Sequence, residues 1–105
     1  MSRTLEAKIY LALEESEVKW KEGVQEKWEL MGEVGDYEEG VITRIINYDS
    51  QDTHHCGIEL ESVEWGCKTI YPAKVARLIS KARKTLSTHV NNPEDFKLTL
   101  SAEYF

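Results

Sequence analysis

Cysteine and proline are scarce in this chain, with two of each in 105 residues. Two cysteines cannot build the disulfide framework of a small secreted domain; Cys56 and Cys67 could pair if neighbouring strands brought them together, but reduced, buried thiols are the expectation. Long apolar runs are missing too. The longest covers only a few residues, against the ~20 that a bilayer-spanning helix requires. The opening Met-Ser-Arg-Thr-Leu-Glu-Ala places charge where a signal peptide would carry its apolar stretch. Together these absences set a cytoplasmic location without membrane contact as the expectation. Glycine is also sparse, and Gly32, Gly35 and Gly40 lack the Lys-Ser/Thr and the helix that would make a phosphate-binding loop. No repeat, low-complexity tract or Gly/Ser/Pro-rich linker divides the chain, which has the length of one domain, residues 1–105.

What the chain does carry is charge, and it is unevenly placed. The formal net charge is −6, with 30% charged and 41% hydrophobic residues, an ordinary globular balance. From Met1 to Gly66 there are 16 acidic and six basic residues, a net of −10. From Cys67 to Val90 there are six basic residues and no acid. The chain is therefore polarised into an acidic body and one basic segment. Ten aromatics, among them Trp20, Trp28 and Trp65, supply bulk for a core.

Residues 1–34 admit two readings. Leu5, Ile9, Ala12 and Leu13 fall on one helical face behind a Thr4 N-cap, whereas Leu5, Ala7, Ile9, Leu11 and Leu13 also alternate as in a strand. The scarcity of β-branched residues favours the helix. Val18 to Leu30 then reads as a hairpin turning at Gly23 or as an extended arm. Over residues 33–78, Val41 to Ile46 is a β-branched strand, Asn47 to Thr53 a polar loop, Cys56 to Glu61 a second strand, and Cys67 to Tyr71 a third strand ended by Pro72. Pro72 opens a helix over residues 72–90, with Val75, Leu78, Ile79, Ala82 and Leu86 as its buried stripe and Asn91-Asn92-Pro93 as its stop. Within 94–105, Phe96, Leu98, Leu100, Ala102 and Tyr104 alternate with polar residues, the pattern of a strand that ties the C-terminus to a sheet.

The succession of a glycine-led strand, a polar loop, the Gly57-Ile58-Glu59-Leu60-Glu61 strand, a short turn and Thr69-Ile70-Tyr71-Pro72 resembles an SH3-like barrel of the KOW or Tudor kind over about residues 33–78. The resemblance implies an α+β fold: a small antiparallel SH3-like barrel elaborated by an amphipathic helix and an added C-terminal strand. Barrels of this kind often serve in nucleic-acid or ribosome-associated proteins, although a fold does not fix a function.

Several groupings bear on chemistry. His54 and Cys56, with Cys67 and His89, have the ligand types zinc prefers, while His55 points the other way along an extended chain. No CxxC or HxxxH spacing supports a metal site, so no metal or other cofactor is expected. Cys56 beside His54 or His55 is the one pairing that suggests a nucleophile, but sequence neighbours seldom converge on one reacting atom, and no enzyme is expected. Lys74, Arg77, Lys81, Arg83 and Lys84 make the helix basic and form a candidate nucleic-acid surface, with pairing to the protein's own acids as the plainer account. Ten acids lie between Glu14 and Glu39. Of these, Glu29, Glu33, Asp36, Glu38 and Glu39 form the candidate partner-binding face, where complementary fields would steer a cationic protein. The preferred reading is a non-enzymatic regulator or inhibitor that docks an acidic face on a basic, nucleic-acid-handling protein. A direct nucleic-acid binder is the alternative, and an enzyme built on Cys56 comes third.

Overall fold

The computed structural model describes residues 5–29, 36–37, 42–47 and 53–104. In chain order it contains strand β1 (Leu5–Glu14), a 3₁₀ turn (Glu15–Glu17), helix α1 (Val24–Glu29), strands β2 (Asp36–Tyr37), β3 (Ile42–Asn47) and β4 (Thr53–Val63), helix α2 (Pro72–Leu86), a second 3₁₀ turn (Pro93–Asp95) and strand β5 (Lys97–Tyr104). The fold is α+β, an open antiparallel sheet in the order β2-β3-β4-β1-β5 accompanied by two helices. No pairing closes it into a barrel among the described residues.

Residues 5–14, where the sequence favours a helix, form a central strand instead. β1 pairs with β4 from Ala7↔Val63 to Glu14↔His55, and with β5 from Leu5↔Tyr104 to Ala12↔Lys97. Tyr10, Leu11, Ala12 and Leu13 are all buried, a continuous run that suits a strand covered on both faces. The helix propensity of Ala, Leu, Glu and Lys differs from that of other residues by only a few tenths of a kcal/mol each, which two hydrogen-bonded ladders outweigh. Leu11 and Leu13 enter the main core with Trp28, Ile42, Cys56, Ala82, Leu86, Val90 and Phe96. Tyr10 and Ala12, on the opposite face, pack with Ile45.

The segment after β1 is neither a hairpin nor an arm. Gly23 does make a turn, at φ +82°, but it leads into α1, where Val24 and Trp28 stand four residues apart on one face. Residues 19–21 lie along residues 89–91 through Lys21 N–H to His89 O and Asn91 N–H to Lys19 O. Asn92, 5% exposed, closes this junction by accepting from Lys19 N–H and donating to Glu17 O and Asp95 Oδ2.

β3 and β4 pair as antiparallel neighbours, as the sequence suggests, from Thr43↔Gly57 to Asn47↔Thr53. β4 starts at Thr53, so His54 and His55 belong to a strand and not to the loop. The expected third strand at Cys67–Tyr71 does not form. Residues 64–66 bend, with Gly66 at φ +76°, and 67–71 carry no regular structure. β1 takes the place beside β4 that a third meander strand would fill, so the strand succession behind the SH3-like resemblance reduces to two.

α2 begins at Pro72 as expected, with Lys74 and Val75 N–H donating to Tyr71 O. It ends at Leu86 rather than 90, because the Ser87 and Thr88 hydroxyls bond the Lys84 and Thr85 carbonyls and draw the chain into turns. Only Ala82 and Leu86 of its apolar stripe are fully buried, with Ile79 packed against the same core. β5 forms as expected, and Phe96 just before it is buried, yet Leu98 and Leu100 are 55% and 75% exposed. Trp65 is also exposed and adds nothing to the core. No described helix is long and apolar enough to cross a membrane.

Candidate functional site

Three elements meet at the end of β1 and shape a polar cleft. The 3₁₀ turn that follows β1 carries Glu15, α1 carries Trp28, and β3 carries Arg44. The registers Leu13↔Cys56 and Arg44↔Cys56 set Arg44 on the same sheet face as the main core, beneath α1. Burying a guanidinium there requires partners. Its Nη2 donates to Glu15 Oε1 at 3.0 Å and to the Trp28 carbonyl at 3.4 Å, and its Cζ lies 4.8 Å from the Trp28 ring centroid. The Trp28 indole N–H donates to the same Glu15 oxygen at 2.6 Å. Trp20 packs on Trp28 with centroids 5.1 Å apart and a 34° tilt.

Outward of this cluster lies a cleft of about 400 Å³, walled by Glu14, Glu15, Glu29, Trp20, Trp28 and His54, with Ser16 and Gln25 at its sides. Gln25 donates to Glu29 Oε1 at 3.1 Å and so orients that carboxylate. Carboxylates beside indole rings are the surroundings that an ammonium or guanidinium group prefers, because coulombic and cation–π attraction act together. No lysine or arginine lines the cleft.

The structure separates the residues that sequence reading grouped. Of the acidic candidates, Glu29 lines the cleft. Asp36 lies in β2 opposite Thr43, and Glu33, Glu38 and Glu39 fall outside the described residues. On α2, Lys74, Arg77, Lys81 and Lys84 are exposed. Lys74 shares Glu61 with Lys68, and Arg83 donates to the Pro93 carbonyl at 2.6 Å, which turns that arginine from a surface cation into a tie between α2 and the second 3₁₀ turn.

Cys56 is fully buried in the core, whereas Cys67 is exposed, contrary to the expectation of two buried thiols. Burial, reinforced by the charge of Glu15, pushes the Cys56 thiol well above its ordinary range, while Arg44 opposes this weakly. A nucleophilic cysteine needs the reverse shift. Among the described residues no three His, Cys, Asp or Glu side chains converge as metal ligands. Sequence reading missed Glu15, Trp20, Trp28 and Arg44 as a unit. The one local hint is a pair of tryptophans inside the densest acidic stretch. No protein-family model, curated protein or solved structure matches this chain.

Proposed function

We propose that this chain is a non-enzymatic binding module that captures a basic segment of a partner protein, the cationic surface of a nucleic-acid-handling protein being the preferred target. The observation that carries this reading is the cleft in which Glu14, Glu15 and Glu29 surround the Trp20–Trp28 pair with no lysine or arginine in its lining. A lysine or arginine side chain entering it gains charge attraction and contact with Trp20, the partly exposed member of a pair whose other ring, Trp28, is buried beneath it. The acidic body, net −10 through Gly66, extends that attraction beyond contact and speeds encounter. No catalytic step belongs to this reading. A second reading, direct nucleic-acid binding, draws on the exposed Arg77, Lys81 and Lys84 of α2.

The test uses a Trp65→Phe protein, so that only Trp20 and Trp28 report, titrated with a decalysine peptide. A saturable change in tryptophan emission that weakens with salt is expected. Glu14→Lys/Glu29→Lys should abolish it without altering the circular dichroism spectrum. Equal affinity in the reversed variant, or no emission change at low salt, would overturn the reading.

A further inference from the structure

One edge of the sheet is β2, described over Asp36–Tyr37. β5, the opposite edge, is eight residues long and pairs with β1 alone among the described residues. From Leu98 to Ala102 it holds no charge, no proline and no glycine, and no bulge interrupts its pairing with β1. The usual protections of an exposed strand are therefore absent along its middle. Leu98 and Leu100 are 55% and 75% exposed on the same sheet face as Leu11 and Ile9, their register partners. Leu100 also borders an apolar groove of about 110 Å³ with Ala7, Ile9, Val63 and Ile70.

We propose that β5 is a self-pairing edge, through which two copies of this chain join as an antiparallel two-fold dimer and continue the sheet from one copy into the other. The β5 sequence selects the register. With the two-fold axis at Leu100, Lys97 of one copy stands opposite Glu103 of the other, Leu98 opposite Ala102, Thr99 opposite Ser101, and Leu100 opposite itself. Every polar position meets a polar one, every apolar position an apolar one, and the single basic residue of β5 meets its single acidic one twice, as two-fold symmetry requires. Shifting the axis by one residue toward the N-terminus sets Lys97 against Ser101, and shifting it the other way sets Glu103 against Thr99, so either shift loses the opposite-charge pair. Pairing at Leu100 also brings the two apolar grooves together, so the exposed leucines leave water as the strand hydrogen bonds form.

Sedimentation equilibrium of the full chain over a wide concentration range tests this. The expected result is reversible association to twice the 12.1 kDa chain mass. Lys97→Glu alone and Glu103→Lys alone should each weaken the dimer by about tenfold, since two opposite-charge pairs become like-charge pairs. The double swap K97E/E103K should restore wild-type association. Leu100→Lys, at a site exposed enough to leave the fold intact, should give monomer at every concentration. A wild type that stays monomeric at ~0.1 mM, a dimer that survives Leu100→Lys, or a double swap as weak as the single variants would each overturn the proposal.

Discussion

The Trp28 indole donates its hydrogen to Glu15 while the Arg44 guanidinium lies over the same indole and donates to the same carboxylate oxygen. One oxygen thus joins three elements, the 3₁₀ turn after β1, α1 and β3. Arg44, its side chain only 8% exposed, depends on this acceptor to justify its burial, since the second Glu15 oxygen and Arg44 Nε find no partner. Glu15→Ala should therefore destabilise the fold by about 1–3 kcal/mol, because it strands a buried cation and an indole N–H together. Glu15→Gln, which keeps an acceptor for Trp28, should cost less. Urea unfolding of the two variants gives the comparison, and equal losses would show that the charge, not the acceptor, carries the contribution.

Gly57 makes a different kind of contact. A Cβ at this position would lie 2.6 Å from both Ala12 Cβ and Leu11 O, a distance that packed atoms do not tolerate. Because Gly57 sits between Ala12 of β1 and Thr43 of β3 in the ladder, the strain cannot be relieved without moving a central strand. Gly57→Ala should lower stability by about 1–3 kcal/mol, the usual range for overpacking. Ala12→Gly alone should also destabilise, but combined with Gly57→Ala it should recover part of the loss. That non-additivity, read from chemical denaturation, is the check.

The elements whose pattern admits one answer were legible in the sequence. Pro72 and the Val75-to-Leu86 spacing mark α2, and the Ile58/Leu60 alternation marks β4. β1 was not, because Leu5, Ile9 and Leu13 satisfy a four-residue and a two-residue period together. What decides between them is β4 and β5, some fifty and ninety residues away in the chain. The exposed Leu98 and Leu100 show the same limit from the other side: alternation locates a strand but not whether its apolar face is covered. The cleft escaped for a further reason. Glu15, Trp28 and Arg44 are separated by 13 and 16 residues, and only the register Arg44↔Cys56↔Leu13 brings them onto one face.

Cys56 gives stability a signature at alkaline pH. Burial raises its pKa in the folded state above the ordinary 9.0, so the folded protein holds that proton where the unfolded chain has released it. Stability is then complete below the unfolded thiol pKa and declines as pH rises past about 9, by up to ~1.4 kcal/mol for each pH unit. Cys56→Ala should remove this slope while lowering stability at neutral pH through the cavity it leaves. Thiol labelling supplies a second readout. One cysteine, Cys67, should react at once and the other only on unfolding.

The distribution of cations on α2 bears on which partner the chain meets. Lys74 is engaged with Glu61 and Arg83 with the Pro93 carbonyl, which leaves Arg77, Lys81 and Lys84 exposed without an ion partner among the described residues. Were these three to contact phosphates of duplex DNA, log affinity should fall against log salt with a slope near about −2.7, from ~0.9 counterions released per contact. Three contacts on a chain of net charge −6 give little attraction once salt screens beyond ~8 Å, so no measurable DNA binding is expected at about 150 mM salt. Lys81→Glu/Lys84→Glu should keep the fold, since neither side chain is in the core, and should leave decalysine binding at the Trp20–Trp28 cleft unchanged or slightly stronger. Salt-steep DNA binding by the wild type, lost in this variant, would transfer the function to α2. Fluorescence anisotropy with labelled duplex and labelled decalysine, run side by side across a salt series, separates the two outcomes.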